Sequence, residues 1–104
     1  MAYRLEVVAD LIEQWGKERG IIQHGVPMGQ AIKTLEETTE LLSALSVGDE
    51  LEVKDAVGDI FVTLLMVCGT SNIDFTECVN GSYDEIKDRK GYLRADGIFV
   101  KEEV

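Results

Sequence analysis

The chain has 104 residues, a length that predicts a single domain over residues 1–104, because domains commonly contain about 100–150 residues. Its 45% content of hydrophobic residues excludes a disordered composition. Its 20 acidic and 10 basic side chains give a net charge of −10, which argues against nucleic acid as a partner and favours binding of a hard divalent cation through carboxylates.

The first predicted helix covers about residues 3–19. Its apolar residues recur at helical spacing, and Gly20 is a plausible C-terminal cap. Because charged residues begin in its first turn, this segment does not resemble a secretory signal. Trp15 is either a core side chain of this helix or a surface on which a nucleotide base could stack.

The second predicted helix covers about residues 28–47, between Pro27, which suits a first helical turn, and Gly48, which favours a helix end. Its apolar stripe consists of Ile32, Leu35, Leu42 and Leu45. A stripe of this kind is expected to pack against a neighbouring element.

The third predicted helix covers about residues 50–72 and begins with Asp49 and Glu52 in an acidic version of the capping box. It is apolar over most of its circumference, so we expect it at the centre of the bundle. Its uncharged part, residues 60–73, is shorter than the about 20 residues that a membrane span requires. We therefore expect no membrane partner.

The fourth predicted helix covers about residues 75–90 after Asp74, and residues 92–100 are predicted to form a small hairpin. The hairpin signal is the pair Asp96 and Gly97, which is typical of two-residue turns. The expected fold is all-α, a four-helix bundle with a small C-terminal β-hairpin. The two cysteines form neither a disulfide framework nor a zinc motif, which is typical of a reduced, cytoplasmic protein.

Two acidic strips are predicted on neighbouring helices. Glu37 and Glu40 lie about 60° apart on the second helix, and Asp55 and Asp59 lie about 40° apart on the third. If the strips face each other, their four carboxylates cannot all stay ionised without a cation, and Mg2+ suits such ligands. They could instead be solvated helix faces. Asp59 leads into an apolar run, so we expect it to be partly buried.

Several motifs, in their order, resemble the MazG-like family of all-α nucleoside triphosphate pyrophosphohydrolases over nearly the whole chain. Glu36, Glu37 and Glu40 follow the family pattern Glu-Glu-x-x-Glu, and Gly58-Asp59 opens an apolar helix as the second family motif does. Further segments resemble the short stand-alone members found in bacteria and their phages: residues 14–21, 30, 33–37, 54–60, 85–91 and 97–102.

The resemblance implies hydrolysis of a nucleoside triphosphate between its α- and β-phosphates, in a bacterial or phage-infected cell. It implies Mg2+ as the cofactor, with Mn2+ as a substitute, and Glu37, Glu40 and Asp59 as metal ligands. One carboxylate, Glu36 or Glu40, would be the base that activates a water molecule.

One departure from the family pattern lies three residues before Asp59, where the family usually has Glu and this chain has Ala56. Asp55 lies on the adjoining strip and is the candidate substitute ligand. The departure leaves open a second interpretation, a module of the same fold that binds nucleotide or metal with little turnover. A third is a structural interaction protein whose acidic strips are solvated.

The resemblance also implies cations that bind the triphosphate at the end of the fourth helix. Lys87, Arg89 and Lys90 form a basic cluster there and suit phosphate, although they could also offset the helix dipole. Lys33 shares a strip with Glu37 and could bind phosphate or pair with an acid. We expect a homo-oligomer, a dimer or tetramer as in the family, because the third helix leaves apolar surface to cover.

Overall fold

The computed structural model describes residues 2–102, which form two compact units that divide after Ile73. The first unit contains four helices: α1 (Leu5–Glu18), α2 (Ile21–His24), α3 (Pro27–Val47) and α4 (Glu50–Ser71). The second unit contains one helix and two strands: α5 (Phe75–Ile86), β1 (Gly91–Leu93) and β2 (Phe99–Lys101). The predicted all-α fold with a small C-terminal hairpin is confirmed.

Among residues 2–102, no single helix is long and apolar enough to span a membrane. Helices α4 and α5 meet the length and composition requirement only when they are taken together across the break between them.

Helix α4 forms the centre of the first unit, since it packs against α1, α2 and α3. Its buried residues include Ala56, Leu65 and Met66. Met66 approaches α1 at Gly16, and a Cβ atom at position 16 would lie only 2.6 Å from the Met66 sulfur. The missing side chain of Gly16 therefore permits the close approach of α1 and α4.

Helices α3 and α4 form an antiparallel pair joined by a tight turn. Gly48 ends α3 in a left-handed conformation with φ of 69°, which glycine adopts without steric cost. Asp49 Oδ1 accepts a hydrogen bond from the Glu52 N–H at 3.2 Å and so caps the start of α4. The helix stop and the cap both agree with the sequence prediction, and the short turn makes the two acidic helices direct neighbours.

The predicted apolar stripe of α3 stays at the surface of the single chain. Leu35 is 67% exposed and Leu42 is 64% exposed, and the other two members of the stripe are more than half exposed. The side of α3 that packs on α4 instead presents smaller residues, notably the buried Ala44 and the half-buried Thr34. The stripe is thus available to contact another molecule.

One short helix was not predicted. Residues 21–24, which lie between the first two predicted helices, form α2 directly after the left-handed Gly20. His24 ends this helix and is exposed.

Helix α5 ends at Ile86 instead of at about residue 90. The Arg89 N–H donates to the Ile86 carbonyl oxygen at 2.9 Å, and the Lys90 carbonyl oxygen accepts from the Glu102 N–H at 2.7 Å. These bonds commit the backbone of residues 87–90 to a turn and to the hairpin, so the helix cannot continue through them.

The hairpin pairs β1 with β2 in antiparallel register, with Tyr92 opposite Val100. Its connection is longer than the predicted two-residue turn, since the Arg94 N–H donates to the Ile98 carbonyl oxygen at 2.8 Å. A two-residue type I′ turn needs positive φ at both central residues, but only Gly97 of the predicted pair has it. Asp96 instead accepts the Ile98 N–H through Oδ1 at 3.2 Å.

Candidate active site

A hydrogen bond between two threonines sets the register of α3 against α4. Thr34 Oγ1 lies 2.8 Å from Thr63 Oγ1, and Thr63 Oγ1 donates to the Ile60 carbonyl oxygen at 2.8 Å. Thr34 lies one helical turn before Glu37, and Thr63 lies one turn after Asp59. The threonine pair therefore places the acidic strip of α3 beside that of α4.

Glu37 is half-buried on α3, and its Oε2 atom is buried without a hydrogen-bond partner among residues 2–102. A hydrogen bond with the Glu40 carboxyl group is the largest cause that raises the pKa of Glu37, followed by removal from water and by the charges of Glu40 and Asp59; Lys33 acts in the opposite direction. Two carboxyl groups share a hydrogen bond only when one of them is protonated. When Glu37 and Glu40 are both ionised, the buried Oε2 atom of Glu37 has no hydrogen-bond donor among residues 2–102.

Asp59 is half-buried where the apolar part of α4 begins, as expected from the sequence. Its partial burial is the largest cause that raises the pKa of Asp59, followed by the charges of Asp55 and Glu40 and by a hydrogen bond with Asp55. The Asp55 carboxyl group is therefore within reach of Asp59, although the Asp55 side chain is exposed. The four carboxyl groups of the two strips act on one another electrostatically.

Lys33 and Glu36 form an exposed ion pair on α3, with 3.0 Å between Lys33 Nζ and Glu36 Oε2. Their hydrogen bond is the largest cause that raises the pKa of Lys33, and the charges of Glu37 and Glu40 contribute to the same rise. Lys33 thus pairs with an acid, which was one of its two predicted roles. Its charge also lowers the pKa of Glu37 and so opposes the other causes.

The donor set of the strips fits a hard cation. An orphaned buried oxygen on Glu37 and raised pKa values at Glu37 and Asp59 are both relieved by a positive charge among the carboxylates. Among residues 2–102, no three His, Cys, Asp or Glu side chains are already grouped in the manner of a finished metal site. Glu40 and Asp55 are exposed, so their side chains are free to change rotamer on binding.

Ala56 on α4 is buried, with 3% of its surface exposed. The family pattern has a carboxylate at this position. Asp55, the preceding residue, supplies the additional charge that acts on Asp59.

The remaining predicted site residues lie elsewhere. Trp15 on α1 is 41% exposed, with the Arg19 guanidinium 5.9 Å from its ring centroid, so it is not a core side chain of this chain. Lys87, Arg89 and Lys90 belong to the second unit, and only Lys87, as the C-cap of α5, borders the helix. Their binding of phosphate and the stacking of a base on Trp15 stay predictions.

The two threonines were missed as positioning residues from the sequence. Thr63 interrupts the apolar run of α4 and Thr34 adjoins the Glu-rich stretch, which is the signal that was present. Their direct bond joins residues 29 positions apart, so sequence periodicity does not reveal it.

A comparison with known families finds a match over most of the chain. The profile described as phosphoribosyl-ATP pyrophosphohydrolase matches residues 24–96, which include both acidic strips and more than half of the chain. The chain belongs to this family. Because the family is related to the MazG-like all-α pyrophosphohydrolases, the resemblance seen in the sequence is confirmed. The family is named for a pyrophosphohydrolase activity.

A phage protein is also similar to this chain. It is the uncharacterized 18.2 kDa protein in the rep-hol intergenic region of Haemophilus phage HP1, 35% identical over 63 residues. The matched part covers 61% of this chain and 39% of the phage protein, so this chain corresponds to well under two thirds of that relative. No solved structure matches this chain significantly.

Proposed function

We propose that the chain is a Mg2+-dependent nucleoside triphosphate pyrophosphohydrolase that converts a (d)NTP and water to a (d)NMP and pyrophosphate. The observation that carries the proposal is the crowding of carboxylates from α3 and α4 around the unpartnered, buried Glu37 oxygen. Acidic groups held in this way are typical of sites that bind a divalent cation. Family membership supports the cleavage of a pyrophosphate bond.

Glu37, Glu40 and Asp59 would hold the metal, with Asp55 as the fourth carboxylate in place of the acid missing at Ala56. Mg2+, or Mn2+ in its place, would neutralise the phosphate charge and orient the triphosphate. The exposed Glu40 and Asp55 supply movable ligands, whereas the half-buried Glu37 and Asp59 supply ligands held by packing.

A carboxylate beside the metal ligands would accept the proton of the attacking water. Glu36 and Glu40 are the two candidates. Glu36 is engaged by Lys33 at 3.0 Å, whereas Glu40 shares a hydrogen bond with Glu37. Lys33 would bind a phosphate group of the substrate, which would replace Glu36 as the partner of its ammonium group.

Further substrate contacts are proposed from residues outside the acidic strips. Lys87, Arg89 and Lys90 of the second unit would bind phosphate oxygens, as their charge favours. Trp15 would stack against the base, because nearly half of its surface is open and its ring already accepts a guanidinium.

Product analysis tests the function. We would incubate the protein with each common NTP and dNTP in Mg2+ or in EDTA and resolve the products by ion exchange. A monophosphate with pyrophosphate, formed in Mg2+ and absent in EDTA, is the expected result. Diphosphate with orthophosphate would contradict cleavage between the α- and β-phosphates.

The matched pair of variants for this assay is Asp59→Asn and Asp10→Asn. Asp59→Asn removes a proposed metal ligand and is expected to lower kcat/KM by more than about 100-fold. Asp10→Asn makes the same chemical change on the exposed surface of α1 and should leave turnover unchanged. Far-UV circular dichroism checks that both variants stay helical, and an active Asp59→Asn enzyme would overturn the assignment.

A second candidate is a binding module of the same fold with little turnover. The buried Ala56 favours it, since the site has one carboxylate fewer than the family pattern at that position. This candidate predicts nucleotide binding by calorimetry in Mg2+ with no product after long incubation. Turnover that Asp59→Asn abolishes would exclude it.

A further inference from the structure

Three glycines of this chain have no structural reason within residues 2–102. Seven of the ten glycines have one, because they either adopt positive φ or would place a Cβ atom less than 3.0 Å from another atom. These seven are Gly16, Gly20, Gly25, Gly48, Gly69, Gly91 and Gly97. At Gly29, Gly58 and Gly81, a Cβ atom would meet nothing within 4 Å. Of the three, Gly58 is the one that adjoins the acidic strips.

Gly58 makes the helix that contains it less stable. It is exposed in the interior of α4, where glycine is less favourable than alanine because its backbone loses more freedom on folding. The methyl group of an alanine at position 58 would meet no atom of the described residues. The fold of the single chain therefore favours alanine, and an isolated helix glycine that the fold does not need points to the close approach of a ligand.

Gly58 lies on the side of the α4 carboxylates that faces away from α3. Thr63 marks the side that faces α3, because it bonds to Thr34 at 2.8 Å. Around the helix from Thr63, at about 100° per residue, Asp59 follows at about 40° and Asp55 at about 80°. Gly58 follows at about 140°. The two carboxylates thus have α3 on one side and a surface without a side chain on the other.

The charges around Gly58 favour a charged ligand over an apolar helix. Lys54 and Asp55 lie one turn before Gly58, and Asp59 follows it directly. An apolar partner would have to bury these three charges, which is costly. A hard cation bound by carboxylates keeps several positions for water or phosphate oxygens, which need space beside the carboxylates. The open surface at Gly58 provides this space.

We propose that Gly58 is a steric determinant of substrate binding, whose missing side chain admits the metal-bound oligophosphate to the open side of Asp55 and Asp59. This inference rests on the proposed function for the nature of the ligand and extends it to a residue without a charge or a catalytic group. A side chain at position 58 should make the fold more stable and ligand binding weaker. A glycine that serves the fold alone would not show these two effects together.

Gly58→Ala and Gly58→Leu test this proposal, since alanine and leucine both favour helices. In EDTA, both variants should melt about 4 °C above the unaltered chain. Calorimetry with Mn2+ alone should give an unchanged affinity, because all the carboxylates remain. Binding of inorganic tripolyphosphate to the Mn2+-loaded protein should weaken about fivefold for Gly58→Ala and about 50-fold for Gly58→Leu, since the larger side chain excludes more of the ligand.

Gly81→Ala and Gly81→Leu are the matched controls. Gly81 is exposed in the interior of α5, and a Cβ atom there would also meet nothing within 4 Å. Both control variants should gain thermal stability as the Gly58 variants do. Their affinity for tripolyphosphate in Mn2+ should equal that of the unaltered protein.

Enzyme kinetics separates this proposal from the proposed function. The Gly58 variants are expected to raise KM for the NTP more than they lower kcat. Tripolyphosphate binding that weakens with side-chain size at position 58, in a protein without turnover, would uphold the steric role and reject the activity. Turnover with an unchanged KM in Gly58→Leu would overturn the steric role and leave the activity standing.

Three further results would also overturn the steric role. A lower melting temperature for Gly58→Ala would show that the fold requires the glycine. A changed oligomeric mass for Gly58→Leu would show that this surface contacts another copy of the chain. An unaltered protein that binds Mn2+ but not tripolyphosphate would show that no oligophosphate reaches the surface beside Asp55 and Asp59.

Discussion

The carboxyl group of Glu37 is placed where its ionised form is disfavoured. Its hydrogen bond with Glu40, its partial removal from water and two negative neighbours all raise the pKa of Glu37 above that of an unfolded chain. Because the pKa of Glu37 is raised in the folded state, protonation of Glu37 stabilises the fold. This stabilisation is complete below the unfolded pKa of about 4.3 and is lost as the pH rises through the raised pKa of the folded state.

Glu37→Gln should therefore stabilise the metal-free protein. In EDTA at pH 7, we expect Glu37→Gln to melt at a higher temperature than the unaltered chain, because the neutral amide removes the repulsion. The difference should shrink as the pH falls toward 4, where Glu37 itself becomes protonated. Thermal denaturation followed by circular dichroism across this pH range provides the measurement.

The matched control is Glu13→Gln, which removes a charge from an exposed ion pair with Lys17. Exposed pairs contribute at most about 1 kcal/mol, so this variant should be unchanged or slightly less stable. A lower melting temperature for Glu37→Gln than for the unaltered protein at pH 7 would refute the crowding of charge at the site.

At the scale of elements, the bond between Thr34 and Thr63 is a polar contact that joins α3 to α4. Thr63→Val keeps the side-chain shape but removes the hydroxyl group, and Thr34 Oγ1 retains the Gln30 carbonyl oxygen at 3.2 Å as an acceptor. We expect the free energy of unfolding to fall by about 1 kcal/mol, the net value of one such bond. Urea denaturation measures the change.

Thr39→Val is the control for this prediction. Thr39 is exposed, and its hydroxyl group bonds only to the Leu35 carbonyl oxygen of its own helix at 3.0 Å. Its substitution should change the free energy of unfolding by less than about 0.5 kcal/mol. Equal losses in the two variants would mean that the bond between the helices contributes nothing beyond local helix effects.

The predicted helix ends are correct where residues within one turn determine them. Gly48 and Asp49 mark the end of α3 and the start of α4 because a left-handed glycine and a side-chain cap act within one turn. The end of α5 was predicted four residues late because a distant residue, Glu102, binds the Lys90 carbonyl oxygen. The hairpin turn was predicted too short because Asp96 binds the Ile98 N–H.

For the whole molecule, exposed apolar surface predicts self-association. The four-residue stripe of α3 is more than half exposed at each position, although it has the spacing of a packed helix face. We propose that a second copy of the chain covers it. Light scattering at micromolar concentration should give a mass above 11.5 kDa for the unaltered protein and a monomer for Leu42→Glu, because burying an unpaired carboxylate is costly.

Leu5→Glu is the control for the association experiment. Leu5 is 68% exposed at the start of α1, outside the stripe, so this variant should keep the mass of the unaltered protein. A monomer for the unaltered chain, or equal effects of the two substitutions, would contradict an interface on α3.

The sequence by itself determined the helical class, the placement of Glu37, Glu40, Asp55 and Asp59 on two neighbouring helices, and the resemblance that the family match confirms. Helical periodicity, caps and motif order are short-range properties, so they can be read from consecutive residues. Only the tertiary structure decided which threonines bond, which apolar stripe stays exposed and that the side of α4 at Gly58 stays uncovered within residues 2–102. These outcomes depend on contacts between residues far apart in the chain, whose pairing is selected by the packing of whole elements.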